Sequence, residues 1–123
     1  FSPDSSLVVS ASHDASVRIW DAQTGACLRL FESNFVPVYS ALFSPDGLRL
    51  AIASEDSTVR IMDSVTGEYI HELNGHTLCV FSAAFDPSGV LVVTASADNT
   101  VRIWNSVSGE CLHELVGHTS LVY

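Results

Sequence analysis

The chain has 123 residues, 47% of them hydrophobic, with 14 acidic residues against five arginines and no lysine, for a formal charge of −9. Such a surface repels phosphate, so nucleic acid and anionic membrane are poor partners and a protein or basic peptide is the better one. The longest apolar runs fall far short of a membrane span and nothing resembles a signal peptide, so the expected location is intracellular, cytoplasmic or nuclear.

In chain order, residues 7–12 (Leu-Val-Val-Ser-Ala-Ser) form a β-branched run that predicts a strand, and the His13-Asp14 turn returns it as a second strand over 16–20. Ala22-Gln23-Thr24-Gly25 is a Gly-terminated turn, and a short strand follows from Cys27 to Phe31. Asn34 to Leu42 begins a new unit, with Val38, Ala41 and Phe43 directed inward, and Pro45-Asp46-Gly47 turns the chain. Strands are expected over 48–54, 58–62 and 69–73; the pattern repeats from Leu78 to Leu115, and Thr119 to Tyr123 starts another strand.

The pattern has one period. Ala11-Ser12-His13-Asp14-Ala15-Ser16-Val17-Arg18-Ile19-Trp20-Asp21 recurs 42 residues later, beginning at Ala53, and again from Ala95 to Asn105. Phe1-Ser2-Pro3-Asp4 returns at Phe43 and Phe85; Gly25, Gly67 and Gly109 share a phase, and Gly75-His76 returns as Gly117-His118. Several motifs in register over essentially the whole chain indicate an array rather than one irregular domain. Together they resemble the WD-repeat family, whose repeats each build one four-stranded blade of a β-propeller.

The resemblance implies an all-β chain of three consecutive four-stranded antiparallel blades. Residues 1–33 would be a first blade lacking most of its inner strand, 34–75 a second, 76–117 a third, and 118–123 the start of a further inner strand. Three blades make part of a ring, so the chain is expected to be a segment of a longer propeller or a protomer that completes a ring with copies of itself. Blade faces are apolar, and an uncovered one is a docking surface.

One set of residues looks catalytic. In the family, a loop His, a strand Ser or Thr, the turn Asp and a strand Trp form a hydrogen-bonded chain. By resemblance this links His76, Thr94, Asp98 and Trp104 in the third blade, with Ser96 as the other candidate hydroxyl. In the second blade Asn34, Ile52 and Met62 replace three members, while Ser54 and Asp56 remain; the joint loss points to Thr94, and to Ser10 beside Asp14 and Trp20 in the first blade, as the network hydroxyls. A hydrolase using His76, Asp98 and Thr94 is the alternative from another class. It is disfavoured because the set recurs blade by blade and no oxyanion-hole motif accompanies it, so no catalytic residues are expected. His71 with His113, and His76 with His118, are each a repeat apart and too distant for one ion, so neither metal nor cofactor is expected. Arg18, Arg60 and Arg102 share a position and read as solvated or acid-paired arginines rather than a basic stripe. Cys27, Cys79 and Cys111 lack any paired spacing and read as buried thiols in a reducing compartment.

A second set looks like a binding face. Tyr39, Phe81 and Tyr123 recur at the same period, each after a Val, and alternation turns them away from it. In propellers of this family that position lies at the mouth of the central channel. Pro37, Cys79 and Leu121, two residues earlier, and His13, Glu55 and Ala97, before the turn Asp, line the same face by resemblance. The expected function is a non-catalytic protein-interaction scaffold that takes its partner at this face; a ligand-sensing repeat array of a signalling NTPase is the alternative.

Overall fold

The computed structural model describes residues 1–32 and 36–123; Asn34 and Phe35, singled out in the sequence, lie outside the described residues. The described elements are β1 (Leu7–Ala11), β2 (Ser16–Asp21), β3 (Cys27–Glu32), β4 (Val38–Phe43), β5 (Arg49–Ser54), β6 (Val59–Asp63), β7 (Tyr69–Leu73), β8 (Val80–Phe85), β9 (Leu91–Ser96), β10 (Thr100–Asn105) and β11 (Cys111–Val116). They form three antiparallel sheets in chain order, β1-β2-β3, β4-β5-β6-β7 and β8-β9-β10-β11, which do not close on themselves.

Local chemistry sets the turns. Asp21, Asp63 and Asn105 each accept the backbone N–H groups two and three residues ahead, at 2.7–3.0 Å, and fold the chain back between the third and fourth strand of a repeat. The glycine closing the second of these turns, Gly67, has φ 76°, and a Cβ there would lie 2.6 Å from the Phe31 ring of the neighbouring sheet. Only glycine meets both demands.

The sheets stack face to face through two cores. Val17 and Ile19 meet Val38, Ala41, Leu50, Ile52 and Met62. Ala51, Ala53, Val59, Ile61 and Leu73 meet Val80, Ala83, Val92 and Trp104. Val38 and Ala41, three residues apart, share one face because the ladder shifts between Val38 and Ser40; the same shift lies between Val80 and Ser82. Tyr39 and Phe81 are therefore the extra residues of β-bulges, a sharper way of ejecting them than strand alternation.

Two expectations are corrected. Residues 119–123 form no strand, although the Val122 N–H donates to the Ser96 carbonyl at 3.1 Å as Val38 does to Ser12. Cys27 and Cys111 are exposed and Cys79 half-buried, all free thiols. The first two sit on outermost strands with water on one side, so they carry no argument about compartment.

Candidate functional site

In the third sheet the loop between β7 and β8 carries His76 into the β9–β10 pair. Its Nδ1 lies 2.8 Å from Asp98 Oδ2 and its Nε2 2.7 Å from Thr94 Oγ1, while the Trp104 indole donates to the same hydroxyl at 2.9 Å. The Asp98 carboxylate is met by a proton on Nδ1, and in the neutral ring Nε2 then accepts from the Thr94 O–H. Thr94 and Trp104 are each 1% exposed, and Ser96 instead donates to the Leu78 and Cys79 carbonyls. Burial works to raise the Asp98 carboxyl, but hydrogen bonds from Thr100, His76 and backbone N–H groups outweigh it and hold the group below the usual carboxylate range.

The second sheet answers Asp56 differently. Arg60 Nη2 lies 2.7 Å from Asp56 Oδ2 and Nε 3.3 Å from Glu72 Oε2. Ser54 and Thr58 donate to the other Asp56 oxygen. Burial pushes Asp56 up, yet the bonds from Ser54, Thr58 and Arg60 prevail and its value falls from 3.8 to about 2. Inside, Ile52 and Met62 fill with hydrocarbon the place Thr94 and Trp104 occupy in the third sheet. In the first sheet Trp20 Nε1 donates to Ser10 Oγ at 2.8 Å, but Asp14 stands apart from that pair and receives the Ser16 N–H.

Across one end of the three sheets the aromatics form a continuous ladder. The ring of His13, in the β1–β2 turn, stands edge-on to Tyr39 at 5.0 Å; Tyr39 stands edge-on to Phe81 at 5.3 Å; and Phe81 stacks on Tyr123 at 4.9 Å. Each contact joins neighbouring repeats and falls in the favoured range for aromatic pairs. Burial pushes the Tyr39 phenol up, and the Glu55 carboxylate and Cys79 beside it push the same way. Pro37 and Cys79 present carbonyls that accept the Glu55 and Ala97 N–H groups, at 3.0 and 2.9 Å, and tie the turn residues to the bulges. Leu121 and Tyr123 are exposed, at 45% and 78%.

Sequence reasoning missed Arg49. Its Nη1 donates to Ser106 Oγ at 3.0 Å, its Nη2 to the Gly89 carbonyl at 2.9 Å, and it lies 5.2 Å over Phe85, clamping the second sheet to the third. The available signal was its departure from the repeat, since Leu7 and Leu91 hold the equivalent positions. Among the described residues no three His, Cys, Asp or Glu side chains cluster as metal ligands would. No helix there is long and apolar enough to cross a membrane.

Antiparallel sheets of three and four strands in chain order, stacked through apolar faces, are the pattern of propeller-type blades. A family model described as WD domain, G-beta repeat, matches residues 1–21 and 67–105, and one described as anaphase-promoting complex subunit 4 WD40 domain matches residues 33–80. The solved structure of RRP9 WD40 repeats superposes with a TM-score of 0.91 at 24% identity, covering 98% of this chain and 38% of that one. The chain thus spans well under half of that relative, and the likeness concerns the fold. Among curated proteins no sequence matches. The chain belongs to the WD-repeat β-propeller family, whose fold typically serves as a scaffold for protein–protein interaction.

Proposed function

We propose that the chain is a non-catalytic interaction module that holds a basic segment of a partner protein, through an arginine, on the face of His13, Tyr39, Phe81 and Tyr123. The observation carrying this reading is the unbroken ring ladder with Glu55 beside it. A guanidinium set against an aromatic face gains about 0.5–2 kcal/mol, more once desolvated. The −9 formal charge speeds a cation's approach and makes binding weaken with salt. The alternative hydrolytic role of His76, Asp98 and Thr94 is poorly supported. Thr94 is 1% exposed and its hydroxyl is already bonded to an indole and an imidazole, leaving no room for a carbonyl to approach.

The test is fluorescence anisotropy with labelled arginine-containing peptides and their alanine counterparts, across a salt series. Tyr39→Ala and Phe81→Ala in the full chain are expected to weaken the arginine peptides about tenfold or more and to leave the alanine peptides unchanged. If both variants keep wild-type circular dichroism and bind the arginine peptides as tightly as wild type, that face is not the site.

A further inference from the structure

The end of the sheets away from the ring ladder carries its own exposed apolar side chains. β4 and β8 begin at the ladder with Tyr39 and Phe81 and run about 20 Å to the opposite end. There the turn before β5 meets the turn before β7, and the Ser64 N–H donates to the Leu48 carbonyl at 3.0 Å. In the third sheet the Ser106 N–H donates to the Val90 carbonyl at 2.8 Å. These bonds bring Leu48 against the turn of Val65, and Val90 against the turn of Val107. The four side chains are open, at 60%, 58%, 45% and 67% exposure in the order Leu48, Val65, Val90, Val107. The second sheet has a sheet packed on each face, and Leu48 and Val65 are exposed all the same, so the openness belongs to the position.

The fold does not ask for hydrocarbon there. The first sheet has Ser6 and Gln23 at the positions of Leu48 and Val65, and it makes the same bond, from the Ala22 N–H to the Ser6 carbonyl at 2.9 Å. Single exposed apolar residues are ordinary. Here two paired positions are apolar in two adjoining sheets, although polar residues serve the turn equally well.

The two pairs are also joined rigidly. Arg49, beside Leu48, donates to the Gly89 carbonyl beside Val90 and to Ser106 Oγ beside Val107. His71 Nε2 donates to the Val107 carbonyl at 2.6 Å. A surface whose parts are already fixed loses little freedom on binding. The charge around it is mostly negative. Asp46, Glu68 and Glu110 are exposed in the same turns. Hydrogen bonds from Ser44 and the Leu48 N–H hold the Asp46 carboxyl below the usual range, so it stays charged. Of the nearby arginines, Arg49 is occupied in the clamp and Arg29 lies near Asp63.

We infer that this end is a second docking surface, which takes a basic amphipathic helix of a partner protein. Apolar residues seven apart on a helix face are separated by about 10 Å, the spacing of packed sheets, so one helix can touch the second-sheet and third-sheet pairs together. Its lysines or arginines face Asp46, Glu68 and Glu110. A second copy of this chain, with its own formal charge of −9, would set acid against acid, and anionic lipid would be repelled likewise. The surface lies a strand length from the ladder, so one chain can hold two partners, and the inference stands whether or not the ladder binds arginine.

Fluorescence anisotropy with the full chain tests this, using a labelled peptide of leucines and lysines at amphipathic helical spacing. Two control peptides carry serine for leucine or glutamate for lysine. Wild type is expected to bind the first peptide in a salt-dependent way and the controls about tenfold more weakly or less. Leu48→Ser combined with Val90→Ser installs the residue the first sheet already has, so circular dichroism should stay that of wild type. It should weaken the leucine–lysine peptide about tenfold or more. Glu68→Gln combined with Glu110→Gln should weaken it too and flatten the salt dependence, and this pair decides if the serine pair fails to fold. Neither pair should change how arginine peptides bind the ladder, and Tyr39→Ala should leave the leucine–lysine peptide bound. Equal binding of the leucine and serine peptides, binding untouched by either pair, or binding lost on Tyr39→Ala overturns the inference. So does sedimentation equilibrium in which wild type self-associates and the serine pair is monomeric, because the occupant would then be a second copy.

Discussion

Asp56 and Asp98 occupy the same position of successive repeats, yet one is met by a guanidinium and the other by an imidazole. In the third sheet His76 reaches past the carboxylate to a buried hydroxyl, and Arg102, its side chain 16% exposed, pairs with Glu114 at 3.1 Å instead of with the aspartate. In the second sheet, where Ile52 and Met62 make the interior apolar, Arg60 folds onto Asp56 and Glu72. An imidazole can span carboxylate and hydroxyl only if both are there. Where the hydroxyl and indole are replaced by hydrocarbon, the aspartate is held from the surface by a side chain the repeat already contains. One fold thus tolerates two ways of holding the aspartate, and mixtures of the two are what it should resist.

The largest expected effect comes from making such a mixture. Thr94→Val keeps the shape of the third sheet but strands the Trp104 N–H and His76 Nε2, each buried, and should cost roughly 2–4 kcal/mol. Urea denaturation followed by tryptophan fluorescence measures it. A loss under about 1 kcal/mol would mean that the network contributes little and that packing of Trp104 alone sets the stability.

The second sheet should respond less. Arg60→Met removes the cation between Asp56 and Glu72, but both acids are partly exposed, with side chains 26% and 49% accessible, and can rehydrate. A loss of about 1–2 kcal/mol is expected. Arg60→Lys should recover only part of it, because a single ammonium cannot present two separated donors to two carboxylates. Full recovery by lysine would show that charge alone matters there.

Acid weakens both aspartates in the same sense. The folded value of Asp56, about 2, lies below its ordinary 3.8, so its contribution is present above about pH 3.8 and is lost as pH falls toward 2. Asp98 is also held low, and its contribution is lost in the same sense. Asp56→Asn should therefore be less stable than wild type at pH 6 and approach it at pH 2.5, measured as the urea midpoint at each pH. A stability difference that stays constant across that range would refute the assignment of Asp56 to the ion pair.

How much of this the sequence displayed depends on whether a feature repeats. The strands, the turns and the phase of Val38 and Val80 follow from motifs in register, whereas the association of His76, Thr94, Asp98 and Trp104 was what the family resemblance implied. The bulges at Tyr39 and Phe81 were hidden because a one-residue insertion in one strand leaves the period intact; it becomes visible only through the partner strand's register. Arg60 was expected to be solvated or acid-paired, but its hold on Asp56 was hidden for the opposite reason. It is the same residue in all three repeats, and its role changes only because the neighbours at 52 and 62 do. Arg49 breaks the period, and its clamp onto Gly89 and Ser106 depends on distance in space rather than in sequence. The exposure of Cys27 and Cys111 depends on which strand lies outermost.

The first sheet offers the smallest and most discriminating change. Ser10 and Trp20 make the indole–hydroxyl bond that Thr94 and Trp104 make, at 2.8 against 2.9 Å, but Ser10 is exposed where Thr94 is buried. Bond length is therefore held nearly constant while burial changes. In dilute solution Ser10→Ala leaves an indole N–H that water can reach, so the loss should stay below about 1 kcal/mol. Thr94→Val, whose indole and imidazole partners are buried, should cost several times as much. Urea denaturation of wild type and both variants compares them directly. Equal losses in the two variants would mean that burial of the hydroxyl does not set the cost of losing the indole bond, and that the first and third sheets differ in exposure without differing in energy.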